Sequence, residues 1–142
     1  MTNHTVLNEG DEHTLLTAAY GTVVLMTAAN PGPIAAAKSS TAASLAMTSA
    51  TGLTGHVLAI KTKAKDLDLG GGNTAEIAET VFPALTASVQ ILQAKAPEEA
   101  ANFRATITTM TAAAMRSHYG EPLPTEVEMA RKIHQALDVA GA

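Results

Sequence analysis

Between Thr14 and Ile60 the only fully charged side chain is Lys38, and nearly all the others are Ala, Thr, Ser, Leu, Val or Met. A stretch this poor in charge must be buried, paired or associated with a membrane. It contains two helix-like runs. The Asn-Pro-Gly-Pro sequence at 30–33 separates them, because a helix rarely continues through such a sequence. The small side chains therefore predict closely packed helices more readily than a chemical site.

Length and charge predict one domain with no nucleic-acid partner. The chain has 142 residues, 9 of them basic and 13 acidic, with a net charge of -4. No cluster of Lys or Arg lies along a face that could follow a phosphate backbone. We predict a single helical domain over 1–142, with 1–10 flexible and a glycine-rich connection at 66–73 between two helical halves.

The surface composition favours self-association. Charged residues make up 15% of the chain, below the roughly 25% typical of soluble domains. A surface with few charges gives little repulsion between copies, so we expect a homo-oligomer, most simply a dimer. The chain contains no cysteine, which excludes disulfides, thiolate nucleophiles and sulfur-ligated metal centres.

Two segments of the sequence indicate where the protein is located, residues 1–12 and residues 39–60. Met1 to Glu12 contains acidic residues where a signal peptide has positive charge, so we expect a cytoplasmic protein. Ser39 to Ile60 is about long enough to cross a bilayer. It contains too many Ser and Thr side chains for favourable insertion, so we expect no membrane span.

The hydrophobic pattern predicts an all-α bundle of six helices, with no strand-like alternation. Asp11 is the expected N-cap of the first helix, and Asn73 and Thr125, each with a Glu three residues later, open the fourth and sixth as capping boxes. Pro83 is expected to kink the fourth helix. The approximate bounds are 11–29, 34–50, 53–65, 73–95, 96–118 and 125–139.

Four of these helices carry an apolar stripe that should face the core. The predicted core positions are Leu15, Leu16, Ala19, Val23 and Met26 in the first helix, Ile77, Val81, Leu85, Ser88 and Leu92 in the fourth, Phe103, Ile107, Met110 and Ala114 in the fifth, and Val127, Ala130, Ile133 and Leu137 in the last.

Most motifs that could indicate chemistry fail on their context. Residues 32–39 read G-x-x-x-x-A-K-S, close to a phosphate-binding loop, but Pro33 lacks an N–H and Ala37 replaces the second glycine. Lys38 is therefore read as a surface lysine. The glycines at 70–72 before Asn73 are read as a plain loop rather than an anion nest. The acidic residues lack EF-hand spacing, and Glu128 with Lys132 is read as a helix surface pair.

The five histidines do not form a recognisable site. Glu9 and His13 have the i,i+4 spacing of metal ligands, but we read them as the solvated start of the first helix. His56 lies in the charge-poor region and is expected to be a partly buried core histidine. His118 and His134 are expected near helix ends, where a cation is favourable. We therefore assign no catalytic, cofactor-binding or metal-binding residue and expect no cofactor.

Three segments resemble a group of small bacterial helical proteins whose arrangement is similar to the tellurite-resistance TerB-like fold. They are residues 23–34 with Lys38, residues 94–99 with Phe103 and Arg104, and residues 124–128 before the last helix. The resemblance covers about 14–139 and implies a bacterial, stress-linked protein. In TerB-like proteins it would also imply metal-binding acidic residues in the loop after the first long helix. Here that loop, 30–33, has no carboxylate, so no site residue is carried over.

We therefore predict a non-catalytic binding or interaction protein that associates with itself. One alternative is a small-molecule carrier, in which Ala- and Thr-lined helices enclose an apolar ligand and the glycine-rich connection acts as a hinge. A second alternative is an enzyme that uses His56 or His118 as a base.

Overall fold

The computed structural model describes residues 7–30, 33–60, 67, 69, 73–116 and 123–141. This part of the chain contains six helices and no strand, which confirms the predicted all-α class. The helices are α1 (Glu9–Ala28), α2 (Pro33–Thr48), α3 (Gly52–Leu58), α4 (Thr74–Lys95), α5 (Pro97–Met115) and α6 (Pro124–Gly141). No helix among the described residues is long and apolar enough to cross a membrane.

The predicted N-cap of α1 is wrong. Asn8 is the N-cap, and its Oδ1 accepts a hydrogen bond from the Asp11 N–H at 2.8 Å. The Asp11 carboxylate in turn accepts from the Asn8 N–H at 3.1 Å, which completes a capping box. Asp11 is thus the third residue of the first turn, and the N-cap lies three residues earlier than expected. Just before it, Leu7 is buried in the core.

α1 packs more extensively against α4 than against any other described helix, and three contacts show that the two helices are antiparallel. The Lys95 ammonium donates to Asp11, and the Ser88 hydroxyl lies 3.4 Å from the Thr14 carbonyl oxygen. At the other end, a Cβ on Gly21 would lie 2.3 Å from Val81 Cγ2. Only glycine therefore allows the two helices to come this close.

A network of hydrogen bonds fixes the start of α3 against α5. Glu99 Oε1 accepts from the Thr54 N–H at 2.8 Å, the Thr54 hydroxyl at 2.9 Å and the Asn102 amide at 3.1 Å. Asn102 also donates to the Thr51 carbonyl at 2.8 Å. We call these residues, with Gly52, the α3–α5 junction. Gly52 has a φ of 69°, and a Cβ there would lie 2.8 Å from Glu99 Oε2.

The start of α6 also differs from the prediction. Thr125 is not the N-cap, because α6 begins at Pro124 and the Thr125 hydroxyl donates to the Ala29 carbonyl at 2.6 Å. Glu126 is fully buried, and its Oε1 accepts from the Leu123 N–H at 3.0 Å. Val127, predicted to be in the core, is 50% exposed. The buried face of α6 therefore begins with a carboxylate instead of a valine.

Most of the other predicted features match the structure. Pro33 and Pro97 each begin a helix, and Asn73 Oδ1 accepts from the Glu76 N–H at 2.9 Å. All predicted stripe residues are buried except Val127 and two half-buried side chains, Val23 and Ile77. α4 continues through Pro83 to Lys95, so the expected kink remains a prediction. The predicted ends of the third and fifth helices are wrong, because α3 ends at Leu58 with Ala59 as its C-cap and α5 ends at Met115 with Arg116 as its C-cap. The rest of their predicted ranges, 61–65 and 117–118, lies outside the described residues.

Contacts from α5 hold the last turns of α6. The Arg104 guanidinium donates to the Leu137 carbonyl at 2.8 Å and to Asp138 Oδ1 at 2.6 Å. A cation near the C-terminal end of a helix is favourable because it meets the negative end of the helix dipole. Glu128 pairs with Arg131, one turn away, rather than with Lys132 as predicted.

Candidate functional site

Three depressions of about 360–400 Å³ lie on the described surface. One lies between α4 and α6, with walls that include Phe82, Pro83 and Val139. A second lies along the outer face of α2 around Leu45. The third lies between α1 and α4, beside the end of their interface that carries Asp11 and Lys95. It differs from the other two because several hydroxyl groups line it.

We call this third depression the α1–α4 cleft. Its volume is about 400 Å³, within the range of pockets that hold small molecules. α1 and α4 contribute residues spaced three or four apart, which places each set on one face of its helix. Leu67, from the segment between α3 and α4, adds an apolar wall. The lining residues are His13, Thr14, Thr17, Leu67, Thr80, Pro83, Ala84 and Ala87.

The hydroxyl of Thr17 distinguishes the cleft from an ordinary surface groove. Thr14, Thr22 and Thr27 of the same helix each donate to the carbonyl oxygen four residues earlier, at 2.7–3.0 Å. Thr17 does not, and within the described part of the chain its Oγ1 has no hydrogen-bond partner. Because Thr17 is only 5% exposed, this hydroxyl costs about 1–3 kcal/mol of folding free energy.

The position of the unpaired Thr17 hydroxyl differs from that of Asn30 Oδ1, another unpaired polar atom among the described residues. Asn30 Oδ1, at the C-terminal end of α1, is also buried without a partner, but its amide nitrogen donates to the Met26 carbonyl at 3.0 Å. Asn30 is not among the residues that line the three depressions. Among the described residues, Thr17 is the one that combines an unpaired buried hydroxyl with a place in the wall of one of these cavities.

Titratable groups are few in the cleft. Of the lining residues that the structure describes, His13 is the only titratable one, and its side chain is exposed. Asp11 lies nearby in sequence, but its carboxylate binds Lys95. That hydrogen bond lowers the pKa of Asp11, although burial acts in the opposite direction. The described residues of the cleft therefore supply hydroxyl groups, apolar groups and one imidazole, and no Lys, Arg, Asp or Glu side chain.

The histidines do not occupy the positions that the sequence predicts. His56 is exposed on α3, so the prediction of a partly buried core histidine is wrong. His134 lies inside α6 rather than near its end, and its Nε2 is 3.2 Å from the buried Thr111 hydroxyl. Because Thr111 also donates to the Thr108 carbonyl at 2.9 Å, His134 acts there as the donor. His118 lies outside the described residues.

Glu9, His13 and Lys38, the residues considered for metal or phosphate binding, are all exposed. Glu9 and His13 are both exposed at the start of α1, as the sequence predicts. Among the residues that the structure describes, no group of three or more His, Cys, Asp or Glu side chains could hold a metal ion. Lys38 is exposed on α2, in agreement with its interpretation as a surface lysine.

Sequence reasoning missed the α1–α4 cleft. Thr14 and Thr17 look like ordinary members of a small-residue helix, and nothing in their spacing shows which hydroxyl is bonded. One signal was present, because α1 and α4 each place threonine beside the apolar stripe, at Thr17 and Thr80. Only the packing of the two helices shows that these threonines line the same cavity.

No protein-family model matches this chain, and neither a curated protein nor a solved structure matches it.

Proposed function

We propose that this protein is a non-catalytic binding protein that holds a small molecule in the α1–α4 cleft. The Thr17 hydroxyl carries the proposal, because it is buried without a partner in the wall of a cavity of about 400 Å³. A protein gains stability when such a hydroxyl is bonded or replaced by a methyl group. We therefore propose that a bound molecule accepts the hydrogen bond that the Thr17 hydroxyl does not make within the described part of the protein.

The chemistry of the cleft supports binding rather than catalysis. The described lining residues supply three threonine hydroxyls and one imidazole as side-chain polar groups, and threonine needs an adjacent base to act as a nucleophile. Thr14 donates to the Gly10 carbonyl at 3.0 Å, so its proton is directed into the helix and not toward His13. The enzyme hypothesis based on His56 or His118 gains no support from this arrangement.

A fluorescence titration with N-phenyl-1-naphthylamine, a neutral apolar dye that brightens in apolar surroundings, tests the proposal. We expect saturable binding of one dye molecule per chain. Ala84→Trp should remove this binding, because Ala84 is half-buried in the cleft wall and the indole would fill the cavity. Circular dichroism checks that the variant remains helical.

The chain offers a matched control for this variant. Ala42 is also half-buried, and it lines the depression of about 400 Å³ on α2. Ala42→Trp should leave the dye affinity unchanged. If the wild type shows no saturable binding, or if Ala42→Trp removes binding and Ala84→Trp does not, the α1–α4 cleft is not the binding site.

Self-association is a second candidate function, favoured by the outer face of α2. Leu45 is 65% exposed and lines a depression together with Ala37, Lys38, Thr41 and Ala42. An exposed leucine among small side chains suits close packing against a second helix. Native mass spectrometry tests it, because a dimer would appear at twice the 14.5 kDa chain mass and Leu45→Glu should shift it to the monomer.

The TerB-like resemblance and the stress-linked role that it implies also remain proposals. They concern the cellular process, whereas the cleft concerns the molecule that is bound. The two are compatible, since a helical binding protein can take part in a stress response.

A further inference from the structure

We infer that the ligand of the α1–α4 cleft is a neutral, mainly apolar molecule with one oxygen acceptor, a hydroxyl or a carbonyl, bound by the Thr17 hydroxyl. This inference rests on the proposed function and specifies the chemical class of the ligand. It follows from the described residues that line the cavity, from the hydrogen-bonding state of the Thr14 and Thr17 hydroxyls, and from the charges around it.

The first step concerns the charge of the ligand. Among the described residues of the lining there is no Lys, Arg, Asp or Glu, so these residues offer a buried charge on the ligand no fixed counter-ion. Carboxylates surround the near end of α1, where Glu9, Asp11 and Glu12 occupy the first turn. They disfavour an anion at the mouth of the cleft. Lys95, which packs against the same end of α1, already binds Asp11.

The second step concerns the polar group of the ligand. The Thr14 proton is directed to the Gly10 carbonyl, so this hydroxyl can only accept. The Thr17 proton has no acceptor among the described residues, and it is therefore the donor that needs one. An oxygen atom of a hydroxyl or carbonyl group satisfies it without introducing a charge.

The third step concerns the rest of the ligand. Leu67, Pro83, Ala84 and Ala87 supply apolar walls on the other sides of the cavity. Burying an apolar body against them is favourable in proportion to the area removed from water. The oxygen of the ligand thus lies at Thr17, and its apolar body lies along α4.

Competition against N-phenyl-1-naphthylamine tests this class with four naphthalene probes of similar size: 2-naphthol, 2-methylnaphthalene, 2-naphthoate and 2-naphthylmethylammonium. We expect 2-naphthol to displace the dye at about a tenfold lower concentration than 2-methylnaphthalene, the difference that one buried hydrogen bond supplies. Both charged probes should bind at least tenfold more weakly than 2-naphthol.

Variants at two threonines of α1 locate the hydrogen bond. Thr17→Val should remove the preference for 2-naphthol over 2-methylnaphthalene, while Thr17→Ser should keep it. Thr22→Val is the matched control, because Thr22 is buried in the same helix and its hydroxyl donates to the Ala18 carbonyl at 2.8 Å. It should keep the preference.

Three results would overturn the inference. They are equal displacement by 2-naphthol and 2-methylnaphthalene, tighter binding of a charged probe, and a preference for 2-naphthol that survives Thr17→Val. In each case the dye still binds in the cleft, so the proposed function stands and only the ligand class fails. If the dye does not bind to the wild type, the proposed function itself fails.

Discussion

The α3–α5 junction and the α1–α4 cleft bury the same kind of side chain with opposite results. At the junction, the Thr54 hydroxyl is fully buried and donates to Glu99 Oε1 at 2.9 Å. In the cleft, the Thr17 hydroxyl is almost as deeply buried and has no partner among the described residues. A buried threonine can therefore stabilise the fold or weaken it, depending on what faces its oxygen. The junction is built for stability, and we propose that the cleft is built for a ligand.

The largest effect is expected at Glu99, whose carboxylate accepts three hydrogen bonds. Glu99→Ala should lower the free energy of unfolding by about 3 kcal/mol, because the Thr54 N–H and hydroxyl lose a charged acceptor. Urea unfolding followed by circular dichroism measures the change. Glu98→Ala, at the exposed neighbouring position, is the control and should change stability by less than about 0.5 kcal/mol. Equal effects at the two positions would mean that the junction does not hold α3.

Two Thr→Val substitutions test the contrast between the regions directly. Thr54→Val should lower the free energy of unfolding by about 1.5 kcal/mol, since it removes a hydrogen bond to a carboxylate. Thr17→Val should raise it by about 1 kcal/mol, since a methyl group replaces an unbonded buried hydroxyl of similar volume.

The sign of the change in the free energy of unfolding distinguishes Thr54→Val from Thr17→Val. Urea unfolding of both variants in parallel measures it. Thr22→Val, whose hydroxyl bonds within α1, should lie between the two. A lower free energy of unfolding for Thr17→Val would show that the Thr17 hydroxyl is bonded in solution. The proposed difference between the junction and the cleft would then be wrong.

The smallest effect concerns acid stability. Burial raises the pKa of Glu99, but the hydrogen bonds from Thr54 and Asn102 outweigh it and hold the pKa below its usual value of 4.5. A carboxyl whose pKa is lower in the folded state stabilises the fold above its unfolded pKa. It loses that contribution as the pH falls through the folded pKa.

Stability of the wild type should therefore fall below about pH 4.5, and Glu99→Gln should make that fall shallower. Thr17→Val should leave the slope unchanged, because it removes no titrating group from the cleft. Urea unfolding measured from pH 7 to pH 3 gives the three slopes. A Glu99→Gln slope equal to that of the wild type would show that the junction does not contribute to acid sensitivity.

The sequence predicted the helices well because their signals are local. Pro33 and Pro97 mark helix starts, and the apolar stripes of α4 and α5 have the period of a helix. The two errors at helix starts have different causes, one within the first turn of α1 and one in a contact between elements. Asp11 and Thr125 have N-cap chemistry, but Asp11 completes a box begun by Asn8 and Thr125 donates to the carbonyl of Ala29.

The candidate site could not be predicted for a related reason. A threonine in a helix has a carbonyl within reach four residues earlier, and sequence does not show whether its hydroxyl uses it. Thr14 does and Thr17 does not. The cavity itself depends on α1 and α4, which are adjacent in the fold but separated by two helices along the chain.

The antiparallel pairing of α1 with α4 has a consequence for synthesis. The Lys95 and Asp11 side chains that meet across it are 84 positions apart in the chain. A growing polypeptide must therefore complete α2 and α3 while the apolar stripe of α1 still lacks its main partner, and contacts of this span slow folding. Leu15 and Leu25 are fully buried in the folded protein. Before folding is complete, the nascent chain exposes them to chaperones and to other unfinished chains.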